Sequence, residues 1–162
     1  DREASGLVLF AKDAEAHRDL SLQFEERRVK KIYLAVAEGR LEKNVTVDQP
    51  LRLFGSGRVG VDSRGKASTT VFHVKELFKN ATFVEAEPLT GRRHQIRAHL
   101  YWLGHPLLGE TRYGKDFPVG GTSGLMLHGH RLTFLGPDKK PLTLRAEPSD
   151  FFLRVLDGLR RS

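Results

Sequence analysis

The residues best suited to chemistry in this 162-residue chain are gathered in Gly91-Arg92-Arg93-His94-Gln95-Ile96-Arg97-Ala98-His99. Gly91 follows a strand-like run and precedes a helical one. Free backbone N–H groups at the helix start would then face Arg92 and Arg93, an arrangement suited to phosphate. A helix here sets Arg93 beside Arg97 and Gln95 beside His99, each pair i,i+4, with Ile96 and Leu100 turned inward. Spacing alone leaves open a plainer alternative, a solvated basic helix face. Tyr33 also stands out, in a strand behind the basic cluster Arg27-Arg28-Val29-Lys30-Lys31, as does Asp1, a carboxylate just before Ser5-Gly6. Alternation puts Tyr33, Ala35 and Ala37 on one face, which by itself fits a core or rim position.

Other chemistries lack their residues. His94 and His99 are five apart, out of register for a common metal, and His128 and His130 share a strand face without a nearby carboxylate, so both pairs read as hydrogen-bonded structural histidines. Gly55-x-Gly57-x-x-Gly60 matches a dinucleotide fingerprint in form only, since no βαβ helix or acidic residue follows it. Ser5 has no nucleophile elbow around it and reads as a turn hydroxyl. The absence of Cys excludes disulfides, cysteine zinc fingers, iron–sulfur clusters and thiol catalysis.

Composition narrows the partner. Lys and Arg number 27 against 20 Asp and Glu, a net charge of +7. That excess points to a polyanion, and to nucleic acid over anionic lipid because no basic amphipathic helix is evident. With 39% hydrophobic residues the chain is no disordered basic tail. No run approaches the ~18 apolar residues of a membrane helix. The length fits one domain, residues 1–162.

The elements that would position these groups follow from periodicity. Leu7–Ala11 reads as a buried strand, and Asp13 as the cap of a helix over 14–27 carrying Ala16, Leu20 and Phe24. Residues 32–37 form a strand closed by Gly39, and 44–62 a hairpin excursion or flexible insertion. Residues 68–77 and 81–89 are two strands joined at Lys79-Asn80. A helix over 94–103 stops at Gly104 and Pro106. Strands follow over 125–135 and 142–146, and Ser149 caps a C-terminal helix with Phe152, Val155 and Leu159. Tight spacings favour antiparallel pairing, so the class is α+β with a mixed, mostly antiparallel sheet and flanking helices and loops.

In combination these blocks resemble the RluA-type pseudouridine synthases. That family carries His-Arg-Leu-Asp-x-x-Thr-Ser-Gly before an apolar strand, and here Asp1-Arg2-Glu3-Ala4-Ser5-Gly6-Leu7-Val8-Leu9 matches from the Asp onward, with Ala4 for Thr. Gln23-Phe24-Glu25-Glu26-Arg27-Arg28-Val29-Lys30-Lys31-Ile32-Tyr33 follows the family's Gln-Phe-x-x-Arg-x-Val-x-Lys-x-Tyr with one residue's leeway at the lysines. Thr90–Arg97 matches Thr-Gly-Arg-Thr-His-Gln-Ile-Arg, with Arg93 for the second Thr. Gly104-His105-Pro106-Leu107-Leu108-Gly109-Glu110, Tyr113-Gly114, and Leu127-His128 with Leu132 match the later motifs.

The resemblance implies an isomerase that converts uridine in ribosomal or transfer RNA to pseudouridine without cofactor or metal. It makes Asp1 the nucleophile, Tyr33 the base-stacking and proton-handling group, Arg97 the ion-pair partner of Asp1, and Leu127 an apolar wall of the base pocket. Arg92, Arg93, His94 and Gln95 would bind substrate, and Arg112 and the 27–31 cluster the phosphate backbone. The expected molecule is a cytoplasmic monomer with no membrane partner. The loops over 55–60 and 118–124 are candidate RNA contacts. The family's His-Arg-Leu and first strands are absent, so the chain reads as a fragment beginning at the catalytic Asp. The rival reading is a non-catalytic basic RNA-binding module in ribosome assembly or RNA folding. A phosphate-ester enzyme lacks the carboxylate cluster that Mg²⁺ needs.

Overall fold

A computed structural model describes residues 1–113 and 124–162. In chain order the elements are β1 (Ser5–Gly6), α1 (Ala14–Glu25), β2 (Lys30–Glu38), β3 (Val45–Asp48), β4 (Leu51–Leu53), β5 (Val59–Val61) and β6 (Thr69–Leu77). They continue with β7 (Ala81–Pro88), α2 (Gln95–Trp102), β8 (Leu127–Leu135), β9 (Pro141–Arg145) and α3 (Asp150–Arg161). Seven strands form one sheet in the order β1-β8-β2-β7-β6-β3, with β9 also on β8, while β4 and β5 make a separate hairpin. Every pairing is antiparallel except β1 with β8. The expected α+β class with a mixed, mostly antiparallel sheet is what forms.

The alternation within β2 builds two cores on opposite faces of the sheet. Ala35 and Ala37 pack with Phe72, Val84, Ala86 and Leu127 under Ile96 and Leu100 of α2. Leu34 and Val36 face the other way, with Phe78 and Met126 beneath Phe152 and Leu156 of α3. Side chains cap two of the helices as the sequence suggests: Asp13 accepts from Ala16 N–H, and Ser149 from Phe152 N–H. α1 is tied to the sheet by an amide. Gln23 donates to Leu135 O (3.0 Å) and accepts from Leu135 N–H (2.8 Å), completing two backbone bonds at a strand end.

Two features shape the region around the N-terminal segment. Gly6, at φ +103, lies so close to β8 that a Cβ there would stand 2.2 Å from Gly129 O. Opposite it, β2 and β8 slip register: Tyr33 pairs with Gly129 but Ile32 pairs with Arg131, so His130 is an extra residue, a β-bulge.

Several expectations need correction. Leu7–Ala11 is not a strand, and Val8 (73%) and Phe10 (82%) are exposed. Leu7 N–H still reaches Gly129 O at 2.9 Å, but the edge of β8 beyond that point is taken by Ala146 and β9, so no strand edge is left to pair. Ser5 belongs to β1, and its hydroxyl lies 2.9 Å from His128 Nδ1. Phe24 points outward on α1, where Gln23 is the buried residue. Within the 44–62 stretch only β4 and β5 form the hairpin, whereas β3 joins the main sheet beside β6. The 118–124 loop falls, Gly124 apart, outside the described residues.

Candidate active site

The Thr90–His94 turn links β7 to α2 and is locked by one side chain. Gln95 Oε1 accepts from Thr90 Oγ1 (2.7 Å) and Arg92 N–H (3.1 Å), while Nε2 donates to Thr69 O and Thr70 Oγ1, both at 2.9 Å. Gln95 therefore borders the cleft with its amide fully engaged in holding the turn. His99, one helical turn on, lies 2.8 Å from the same Thr70 hydroxyl and 3.0 Å from Gln49 O. The i,i+4 pairing of Gln95 and His99 is realised, and Ile96 and Leu100 point inward as expected. Arg93 and Arg97 are different: α2 begins at Gln95, with His94 as a left-handed N-cap at φ 52. Arg93 is consequently off the helix and exposed, and Arg97 is buried, which removes the solvated-face alternative.

Arg97, 1% exposed, is the hub. Its Nε donates to Glu110 Oε2 (2.7 Å) and its Nη2 to Glu110 Oε1 (2.5 Å), a fork-on-fork pair. Nη1 turns to the N-terminal segment, 3.0 and 2.9 Å from the two oxygens of Asp1 and 2.7 Å from Glu3 Oε2. Glu110 also accepts from Arg112 N–H (2.8 Å), which fixes the loop after it. Arg97 holds the Glu3 carboxyl below the usual range, against the opposing effect of burial. Residues about two-thirds of the chain apart, Asp1 and Glu110, are thus brought onto one guanidinium.

These groups line a cleft of about 940 Å³, large enough for a nucleotide. Its walls include Asp1, Tyr33, Arg92, Arg93, His94, Gln95, Arg97 and Leu127, all eight residues singled out from sequence. Tyr33 is half-buried on the rim, and burial raises its phenol above the ordinary value, so it is un-ionised at neutral pH. Leu127 is buried in the floor. Lys31 and Arg112 complete a basic mouth: Lys31 Nζ donates to Thr90 O (3.2 Å), and burial lowers its pKa. Arg92 is tied to Ala67 O, whereas Arg93 makes no hydrogen bond or ion pair among the described residues.

Burial, reinforced by Arg97, Arg93 and Arg112, pushes His94 down to about 4, so its imidazole is neutral at physiological pH. His128 and His130 both lie 2.9 Å from Ala146 O, in keeping with structural histidines. No group of three metal-ligating side chains exists among the described residues. Sequence reasoning overlooked Glu3, Glu110 and Tyr113 as site residues. Glu110 and Tyr113 lay inside motifs quoted above, but only the fold reveals that their side chains turn towards Arg97 and His94.

The family model for RNA pseudouridylate synthase matches residues 1–102. The chain is 40% identical to the ribosomal large subunit pseudouridine synthase C of Haemophilus influenzae, over all of this chain and 54% of that protein. It is 36% identical to the ribosomal large subunit pseudouridine synthase D of Nitrosomonas europaea, over 99% of this chain and 49% of that one. The chain therefore spans about half the length of the curated relatives it matches. Among solved structures, human RNA pseudouridylate synthase domain containing 1 superposes with a TM-score of 0.81 at 26% identity, covering all of this chain and 78% of that one.

Proposed function

The chain belongs to the RNA pseudouridylate synthase family, and on that premise we propose that residues 1–162 are the catalytic domain of an enzyme converting uridine in RNA to pseudouridine. Large-subunit ribosomal RNA is the proposed substrate, since the relatives named above act on the ribosomal large subunit. The cytoplasm is the proposed setting. One observation carries the reading: Arg97 Nη1 lies 2.9 and 3.0 Å from the two oxygens of Asp1, inside a cleft that also contains Tyr33.

The division of labour follows from residue chemistry. Asp1 attacks as a carboxylate, and the guanidinium of Arg97 is the counter-charge that favours the ionised form in a partly buried place. The target base must leave its stack, and the Tyr33 ring can replace the lost stacking while Leu127 backs the pocket. After the glycosidic bond breaks at N1 and a carbon–carbon bond forms at C5, the C5 proton must leave. Tyr33 is a phenol at neutral pH, so it accepts that proton only by passing its own onward to solvent. Arg93, Arg112 and Lys31 at the mouth hold the phosphate backbone. Gln95 serves by locking the turn that presents them.

The test is tritium release from ribosomal and transfer RNA carrying uridine tritiated at C5, using the parent protein that includes any residues before Asp1. Release from ribosomal RNA that Asp1→Asn abolishes, with RNA affinity kept, is the expected result. Salt-sensitive RNA binding with no release from either RNA would replace this reading by a non-catalytic RNA-binding module.

A further inference from the structure

The Tyr113 hydroxyl sits between two partners, Val59 N–H at 3.0 Å and His94 Nδ1 at 2.8 Å. A backbone N–H can only donate, so the phenolic oxygen accepts from Val59 and its single proton is left to donate to Nδ1 of His94. A neutral imidazole that accepts at Nδ1 carries its own proton on Nε2. Nε2 lies 3.9 Å from Asp1 Oδ2. The Tyr113 ring is held against rotation: it stands edge-on to His94 at 5.8 Å between centroids, with Arg58 5.6 Å and Arg97 5.4 Å from its centre.

We propose that Tyr113 is a positioning residue that fixes His94 as the Nε2–H tautomer, a neutral donor reserved for the Asp1 carboxylate. The structural half of this proposal stands alone, and its catalytic half rests on the proposed isomerisation. When the adduct between Asp1 and the nucleoside breaks, the carboxylate recovers its electron pair. A donor 3.9 Å from Oδ2 stabilises that returning charge after an approach of about 1 Å. Neutrality matters, because an imidazolium would form a second ion pair with the nucleophile and quench its attack. The groups facing His94 are Tyr113, the carboxylate and α-amino group of Asp1, and the guanidinium groups of Arg93, Arg97 and Arg112, and the cations among them oppose any charge on the ring. The β4–β5 hairpin enters through Val59, so a surface hairpin helps to set the proton position next to the nucleophile.

The deciding measurement is NMR of the parent protein with isotopically labelled imidazole nitrogens. His94 is expected to give a proton-bearing Nε2 and a bare Nδ1, with no titration between about pH 5 and 8. Tyr113→Phe is expected to release the tautomer preference and slow turnover by about 10- to 100-fold while RNA affinity holds. An Nδ1–H or cationic His94, or an unchanged tautomer in Tyr113→Phe, overturns the proposal. The signal from the unmutated protein decides the tautomer even where the variant fails to fold. A fixed Nε2–H in a parent protein without isomerase activity overturns the reaction and leaves the tautomer standing.

Discussion

Replacing Arg97 with Met removes the guanidinium on which Asp1, Glu3 and Glu110 converge. The cost is dominated by Glu110, whose side chain is 1% exposed, because Asp1 and Glu3 keep some contact with water. A buried charge stripped of its partner destabilises by about 3–5 kcal/mol, and the backbone N–H bonds from Arg112 and Tyr113 cannot neutralise it. For a chain of this length that lowers Tm by roughly 6–20 °C. Glu110→Gln leaves Arg97 with two carboxylates and costs less, about 1.5–3 kcal/mol. The informative variant is the double one. Adding Glu110→Gln to Arg97→Met deletes the orphaned charge, so the double variant is expected to be about 2 kcal/mol more stable than Arg97→Met alone. Urea unfolding with unchanged m-values measures all four corners of the cycle. Effects that add within about 0.5 kcal/mol, or a double variant weaker than either single one, would refute the claim that Arg97 and Glu110 form one buried unit.

Three further outcomes are expected. Gly6→Ala should destabilise by about 3 kcal/mol or more, since its Cβ would meet Gly129 backbone at 2.2 Å, whereas Gly57→Ala, at φ +79 with open space around it, should cost only about 1–2 kcal/mol; thermal melts of equal size for the two would count against the close approach. Stability should fall on acidification, because His94 is depressed to about 4 and Glu3 also lies below its ordinary value. The His94 contribution is complete above about pH 6.5 and is lost towards its folded value, and that of Glu3 is complete above about 4.5 and is lost below it. His94→Gln should flatten the upper part of this slope, leaving the share of His99, which burial also depresses; urea midpoints that rise on acidification would contradict it. Arg93→Ala should weaken RNA binding about equally across sequences and reduce the salt slope by about 1, read by filter binding at several salt concentrations; an unchanged slope would remove Arg93 from the phosphate contacts.

The strands and helices were legible where periodicity ran long. β2 carries the apolar run of a strand buried on both faces, β7 alternates buried with half-buried residues, and Asp13 and Ser149 cap as their side-chain chemistry dictates. Leu7–Ala11 misled because an apolar run specifies a preference for burial but not a partner, and β9 holds the edge it would need. The site was legible in its residue types: the eight chosen positions line one cleft. What spacing could not supply was geometry outside regular helix. Arg93 and Arg97 share a face only if the helix already runs through both, and the left-handed His94 starts it too late. Nothing local marks the carboxylates of Glu3 and Glu110, because only the fold buries Arg97 against them.

The extra residue in β8 turns a motif's spacing into a specification of length. Cross-strand partners project to the same side of a sheet, so Gly129 shares a side with Tyr33, and Leu132 with Lys31. Leu127 and Leu132 therefore both serve the cleft although they are five residues apart, an odd interval that an unbroken strand would assign to opposite sides. His130 acts as a phase shifter between two halves of one strand. Losing one residue here would not trim the strand slightly; it would turn Leu132 away from the cleft and bring its neighbours round in its place. Chain-length changes in this stretch are quantised in pairs, and a lone insertion or deletion is a change of side rather than of size.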